Sequence, residues 1–170
     1  AKLFKMTPLE DTFKCNFNFL IDSTPRQMGI LEILSEWIKF RKQCVTRELT
    51  FELNKKKDKL HLLLGLGKIL LDIDKAIRII RNTEHEEDVV PNLEKGFDLD
   101  QVQAEYIADI KLRHLNREYI LGRIQEIEGL QKDIADIEEI LADELKLKAL
   151  IASQLTEIKK KYGQPRKSQI

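Results

Sequence analysis

The amino-acid sequence predicts a mainly α fold: a long antiparallel intramolecular coiled coil, a small all-helical globular domain at its tip and a short β segment at the N-terminus. Two seams of apolar residues at three- and four-residue steps predict the paired helices. The composition agrees, because 34% charged and only 6% aromatic residues favour solvated helices over one large spherical core.

The N-terminal segment, residues 1–29, predicts extended structure. Leu3–Lys5 is expected to form a strand, and Phe13, Cys15, Phe17 and Phe19 alternate with polar residues at a period of two. Residues 22–25 (Asp-Ser-Thr-Pro) predict a turn. Because one or two isolated strands are only marginally stable, we expect this segment to belong to a larger sheet and the chain to be a fragment.

Residues 30–59 predict the ascending helix of the coiled coil. Its seam consists of Leu31, Leu34, Ile38, Val45, Leu49 and Leu53. The seam is interrupted by basic residues, which are either a solvated break or a spot that faces a phosphate backbone. The candidate DNA-facing residues are Lys39, Arg41, Lys42 and Arg47.

Residues 60–118 predict the globular tip, because the apolar residues from Leu60 to Ile80 surround the helix axis instead of forming a stripe. A short helix is expected from Val90 to Lys95, ended by Gly96. Asp100 and Gln103 have the spacing of a capping box that opens a helix running to about His114.

Residues 119–161 predict one continuous descending helix about 60 Å long, with Asn116 as its N-cap. Its seam is Ile120, Ile124, Ile127, Leu130, Ile134, Ile137, Leu141, Leu145, Lys148, Ile151, Leu155 and Ile158. Residues 162–170 form a return segment.

Catalytic and metal motifs are not evident. The glycines of Gly65-Leu66-Gly67-Lys68 lack phosphate-loop spacing and predict close helix packing. The three histidines have no companions at metal spacing, and Tyr106, Tyr119 and Tyr162 are expected to be packing or capping residues. The zero net charge, two unrelated cysteines and absence of a long apolar run favour the cytoplasm over a membrane.

An apolar face with small residues follows the capping box. It has two interpretations, either packing within the domain or a surface that pairs with its own copy across a two-fold axis. The predicted dimer-interface residues are Gln103, Ala104, Ile107, Ala108, Ile110, Lys111, Leu112 and Leu115.

Four stretches, in the right order, resemble bacterial type IIA DNA topoisomerase A subunits (gyrase A and topoisomerase IV A). Residues 103–115 resemble the signature QAxAIxxxRLxxL, and residues 24–53 resemble PRQxxLxEILxxxIxxRxxVxxRxxxFEL. Residues 61–80 resemble HILEGLxxALxxIDxVIxxIR, and residues 162–170 resemble YGDxRRTxI. Lys111 and Asn116 depart from the usual residues of the pattern.

This resemblance implies the end of the tower domain, the coiled coil and the tip that forms the exit gate (C-gate) of a homodimer. It implies two partners, double-stranded DNA and an ATPase subunit that binds Mg²⁺ and ATP. It also implies that the catalytic tyrosine lies N-terminal to this stretch. No cofactor is expected in this chain, which alone would not be an enzyme.

Two other classes remain open at this point: a coiled-coil arm with a dimerising hinge, as in chromosome-organising ATPases, and a stand-alone helical adaptor. The short arms and helical tip disfavour the first, and the N-terminal strand without a sheet disfavours the second. The resemblance does not separate gyrase from topoisomerase IV.

Overall fold

The computed structural model describes residues 2–9 and 14–167, and for Leu112 and Arg113 the backbone alone. The chain divides into two compact units, Ala1–Cys44 and Val45–Ile170. Both units are mainly helical, with one two-stranded sheet in the first. The predicted mainly α class with a short N-terminal β segment is confirmed.

The N-terminal unit contains a helix where a strand was predicted. Helix α1 spans Lys2–Met6, so the predicted strand Leu3–Lys5 is wrong. The Thr7 hydroxyl donates to the Leu3 carbonyl over 2.6 Å, which completes the turn locally. Lysine, leucine and methionine are good helix formers, so these residues form a helix when no neighbouring strand pairs with them.

A β-hairpin follows, formed by β1 (Asn18–Ile21) and β2 (Thr24–Gln27), which pair antiparallel. Asp22 and Ser23 form its two-residue turn with φ angles of 48° and 64°, the left-handed geometry that matches strand twist. The predicted turn is therefore confirmed, but Thr24 and Pro25 belong to a strand. The predicted alternation begins too early, since residues 14–17 are not a strand and Phe13 lies outside the described residues.

Helix α2 spans Ile30–Leu70 and starts where the sequence predicts. The Glu32 carboxylate accepts from the Gly29 backbone N–H over 3.1 Å at this end. Of its predicted seam, Val45 and Leu53 are buried, whereas Leu31, Leu34 and Ile38 are exposed. The two buried seam residues belong to the C-terminal unit, and the three exposed ones belong to the N-terminal unit.

The C-terminal unit contains the predicted antiparallel pair. Helices α6 (Arg117–Ala142) and α7 (Glu144–Tyr162) pack along α2. Val45 packs with Leu147 and Ile151, Leu53 with Ile134 and Ile137, and Leu63 and Leu66 with Leu130. Residue numbers rise on α2 while they fall on its partner, which establishes the antiparallel direction.

The descending helix is broken, which corrects the prediction of one continuous helix over 119–161. Asp143 is extended (φ −117°, ψ 112°), and its carboxylate caps α7 by accepting from the Leu145 N–H over 2.7 Å. One non-helical residue changes the helical phase, so Leu147 is buried whereas Leu145 is 72% exposed. The seam prediction is therefore wrong at Leu145 and Lys148.

The tip, residues 71–116, contains α3 (Ile73–Asn82), α4 (Val89–Phe97) and α5 (Gln101–Ala108), with 3-10 helices at Glu86–Asp88 and Leu112–Leu115. Its core lies over the end of α2 and consists of Ile69, Ala76, Leu93, Leu99, Ala104 and Ile107. Burial is less complete than the sequence suggested, since Leu71 is 89% exposed.

Two predicted helix ends in the tip need correction. Gly96 lies inside α4, which ends instead at the left-handed Asp98 with a φ of 52°. A Cβ at Gly96 would lie 2.5 Å from the Ile79 side chain, so the glycine allows α3 to approach α4 closely. Helix α5 ends at Ala108 and does not reach His114, because the chain changes to a 3-10 turn.

Candidate self-association surface at the tip

The predicted capping box at the start of α5 is confirmed. The Asp100 carboxylate accepts from the Gln103 N–H over 2.8 Å, and the Gln103 side-chain oxygen accepts from the Asp100 N–H over 3.4 Å. These bonds satisfy backbone groups that a helix start leaves unpaired. The start of α5, and with it the predicted interface segment, is therefore fixed by side chains within the chain.

Gln103 also connects α5 to α2. Its side-chain amide donates to the His61 carbonyl over 2.7 Å, and the residue is only 6% exposed. A Cβ at Gly65 would lie 2.9 Å from three carbons of the Gln103 side chain. The prediction of close packing is confirmed for Gly65, whereas Gly67 has nothing within 4 Å of its added Cβ.

The Asp100 carboxylate has a second partner in His61, whose Nε2 pairs with its Oδ2. The Gln103 backbone N–H, followed by the His61 side chain, lowers the pKa of Asp100 below its ordinary value. A carboxylate that accepts such bonds is favoured in its charged form. The negative charge at the α5 N-terminus therefore persists at neutral pH.

The predicted interface residues divide by burial. Gln103, Ala104 and Ile107 are buried in the core of the chain itself. Ile110 and Leu115 are half-buried, with Ile110 packed against Leu63 and Leu66, and the side chain of Leu112 lies outside the described set. Among the predicted interface residues whose side chains are described, only Ala108 and Lys111 are exposed. The three buried residues would therefore hold the exposed ones in place and not contact a second copy themselves.

Larger apolar side chains are exposed beside the tip, on the paired helices. Leu121 and Ile124 of α6 are 52% and 46% exposed, and Leu64 of α2 is 43% exposed. The sequence interpretation missed Leu121 and Leu64 and assigned Ile124 to the seam. The sequence did contain a signal for Leu121, because it is a large apolar residue that lies outside the seam, where polar residues are expected.

The predicted tyrosine roles can be compared with their surroundings. Tyr106 packs against the tip core and against the cluster of Leu63, Leu66 and Leu130, and burial followed by the neighbouring Tyr119 raises its pKa above the ordinary value. Tyr119 stacks on His114 with ring centroids 4.8 Å apart, and the Arg123 guanidinium lies 4.8 Å from its ring. Tyr162 is 68% exposed at the end of α7. The first two tyrosines therefore serve packing.

The candidate DNA-facing residues all lie on α2. Lys39 is exposed and forms an ion pair of 2.6 Å with Glu36. Arg41 and Lys42 are half-buried, and Arg47 is exposed. Arg47 belongs to the other unit from Lys39, Arg41 and Lys42, and a DNA-facing role for the four residues stays a prediction.

Metal ligands and membrane-spanning helices are two further features that bear on function. Within the part of the chain that the structure describes, no three His, Cys, Asp or Glu side chains come together as a metal site. None of the helices described there is both long and apolar enough to cross a membrane.

The fold defines a class of helical arm, in which an antiparallel helix pair carries a compact helical tip. The chain belongs to the family of DNA gyrase and topoisomerase IV A subunits, which it matches over residues 1–156. It is 40% identical to the A subunit of DNA topoisomerase 4 from Haemophilus influenzae, over 100% of this chain and 22% of that protein. It is 40% identical to the A subunit of DNA gyrase from Clostridium acetobutylicum, over 99% of this chain and 20% of that protein.

A third relative, the A subunit of DNA topoisomerase 4 from Escherichia coli, is 38% identical over 98% of this chain and 22% of its own length. The chain thus spans about a fifth of the length of the curated relatives it matches. The family resemblance inferred from the motifs is confirmed, and the relatives include both gyrase and topoisomerase IV subunits.

Proposed function

We propose that this chain is the coiled-coil and C-gate portion of the A subunit of a type IIA DNA topoisomerase. Two copies associate through their tips and form the exit gate for a transported DNA duplex. The observation that carries the proposal is the antiparallel pair of α2 with α6 and α7, which ends in a compact helical tip, in a member of this family. No observation favours the hinge of a chromosome-organising protein.

The paired helices would act as a stiff arm that holds the tip at a fixed distance. Besides the apolar seam, Lys57 pairs with Glu138 over 2.5 Å and Lys56 with Asp133 over 2.5 Å. Exposed ion pairs contribute little free energy each, so the seam supplies most of the stiffness and the ion pairs favour one register. A fixed register keeps the tip in one position relative to the pair.

The parent enzyme would change DNA topology by ATP-dependent passage of one duplex through another, in the bacterial cytoplasm. We propose that strand cleavage takes place in other parts of the parent protein, and that Mg²⁺ and ATP bind to its ATPase partner. Lys39, Arg41, Lys42 and Arg47 would face DNA through phosphate contacts, which position a duplex without reading its sequence.

A cross-link across the tip tests the gate. In the full-length A subunit with its other cysteines replaced, Ala108→Cys and Leu121→Cys are made separately and joined with a reducible bis-maleimide. The cross-linked protein is then assembled with its ATPase partner, and one round of duplex passage is followed. We expect the transported duplex to stay trapped until the linker is reduced, because the cross-link closes the path by which the duplex would leave.

Ala135→Cys is the matched control, since Ala135 is exposed on α6 away from the tip and should not link two copies. Release of the duplex despite complete cross-linking would contradict the gate. Failure of both Ala108→Cys and Leu121→Cys to link two copies would contradict self-association at this end of the chain.

A further inference from the structure

His114, Tyr119 and Arg123 form a stack where the tip joins α6. His114 lies in the 3-10 turn with which the tip ends, and Tyr119 lies in the first turn of α6. Their rings are nearly parallel, with 13° between the planes and 4.8 Å between the centroids, and the Arg123 guanidinium lies 4.8 Å from the Tyr119 ring. Ring pairs and cation–ring contacts are both favourable at such distances. All three residues are half-buried, so their side chains face one another more than solvent.

The stack is connected to α2 by charged side chains. Arg123 pairs with Glu126 over 2.5 Å, and Glu126 pairs in turn with Lys59 of α2. The hydrogen bond from Lys59, followed by the charge of Arg123, lowers the pKa of Glu126 below its ordinary value. Glu126 is therefore charged at neutral pH, as both pairs require. A continuous series of contacts thus runs from the last turn of the tip through α6 to α2.

Tyr106 of α5 reaches the stack from inside the tip. Its hydroxyl forms a side-chain hydrogen bond with Tyr119. Both tyrosines also pack against the cluster of Leu63, Leu66 and Leu130. Tyr119 therefore contacts three parts of the molecule, namely α5, the turn that ends the tip and the following turn of α6.

The tip contacts the helix pair at two separate elements. At the start of α5, the Gln103 amide donates to the His61 carbonyl, and the Gln103 side chain lies against Gly65 of α2. At the end of the tip, His114 lies against Tyr119 of α6. A body attached at one place can turn about it, whereas a second attachment fixes its orientation. The stack therefore lies where it can determine how the tip is turned on the helix pair.

We propose that His114, Tyr119 and Arg123 are positioning residues that set the orientation of the tip on the helix pair. They act through the ring and guanidinium contacts and touch neither DNA nor a second copy. The purpose of this role rests on the proposed gate function, because a tip that is turned away cannot close a gate. The orientation itself is a property of a single chain and can be measured in one.

Spin-label distances within single chains test the proposal. Cys15 and Cys44 of the 170-residue chain are replaced by serine. Labels go on Lys95→Cys of α4 and Ala135→Cys of α6, both exposed positions, and an excess of unlabelled chain removes distances between chains. We expect Tyr119→Leu to shift and broaden the distance distribution, because it removes the ring from the stack. Tyr119→Phe keeps the ring and should keep the original distribution.

Amide hydrogen exchange measures the same change locally. The His114 N–H donates to the Lys111 carbonyl over 2.8 Å, and the Ile120 N–H donates to the Asn116 carbonyl over 3.1 Å, on either side of the junction. Tyr119→Leu should speed the exchange of both amides about tenfold, because it removes one ring pair and one cation–ring contact. Amides in the middle of α2 and α7 should keep their rates, which a general loss of stability would not allow.

Tyr162→Leu is the matched control. The Lys161 ammonium lies 5.3 Å from the Tyr162 ring at the end of α7, so this variant removes a contact of the same kind away from the tip. It should change neither the distances nor the exchange rates. Arg123→Lys keeps the positive charge without the planar guanidinium, and we expect an effect between those of Tyr119→Phe and Tyr119→Leu.

The outcomes separate the positioning role from the gate. An unchanged distance distribution in Tyr119→Leu, or faster exchange throughout α2 and α7, would overturn the positioning role and leave the gate in place. Sedimentation velocity of the unlabelled chains tests the link between the two. If tips must be correctly turned to pair, Tyr119→Leu should raise the dissociation constant for self-association. A broadened distribution with unchanged self-association would overturn that link, and an unmodified chain that stays monomeric would contradict the gate alone.

Discussion

Gly65 and Gly67 of α2 lie two residues apart and have opposite surroundings. Gly65 faces the buried Gln103 side chain, which is fixed by its bond to the His61 carbonyl, whereas Gly67 faces open space. Helical glycine costs stability relative to alanine unless a close approach requires it. At the residue scale, the missing side chain of Gly65 is what allows Gln103 of α5 to lie this close to α2.

Gly65→Ala should lower the free energy of unfolding by roughly 1–2 kcal/mol, because the added methyl group displaces a fixed side chain from a packed interface. Gly67→Ala, the matched control, should raise it by about 0.5–1 kcal/mol through helix propensity alone. Urea unfolding of both variants gives the comparison. Equal stabilisation by the two substitutions would mean that α5 does not approach Gly65 closely.

The helix N-caps could be predicted from the sequence, because a cap residue bonds to a backbone N–H only two or three residues away. Asn116 accepts from the Tyr119 N–H over 2.8 Å, as expected, and the Asp100 capping box also forms. Asp143 also caps a helix. It was not predicted, because the apolar residues on both sides of it continue at helical spacing and indicate one uninterrupted helix. Burial of Ala104 and Ile107 depended on how α3 and α4 fold over α5, which no local pattern specifies.

At the scale of elements, the break at Asp143 determines which residues of α7 face α2. Leu147 packs against Val45 in place of the predicted Leu145 and Lys148, together with Ile151, which the seam also predicted. A periodic pattern predicts a helix and its approximate buried face, but one extended residue changes the phase of the pattern at the point where it lies. The seam prediction therefore fails next to the break, at Leu145 and Lys148, and holds at Ile134, Ile137 and Ile151.

Leu147→Ala should lower the free energy of unfolding by about 2–4 kcal/mol, because it opens a cavity beside Val45. Leu145→Ala should change it by less than about 0.5 kcal/mol, since that side chain is exposed. Thermal or urea unfolding of the two variants measures the difference. The reverse order would restore the uninterrupted seam and contradict the observed break.

At the scale of the whole molecule, the fold class and the family could be predicted because each rests on patterns that span many residues. Two seams predicted the antiparallel pair, and four ordered motifs predicted the family. The exposed apolar residues near the tip could not be predicted in the same way, since the exposure of Leu64 and Leu121 depends on how the helices pack. Exposure in the folded chain, not sequence similarity, singles out those residues.

Two chains are proposed to meet at their tips, and a spin-label distance measurement tests this contact most directly. Labels go on Gln125→Cys, near the tip, or on Ser153→Cys of α7, in a chain with Cys15 and Cys44 replaced by serine. Helices in contact are about 8–10 Å apart, so the Gln125 labels of two copies should give an intermolecular distance under roughly 25 Å. The Ser153 labels should be much farther apart. Absence of a short distance at Gln125, or a shorter one at Ser153, would contradict the account.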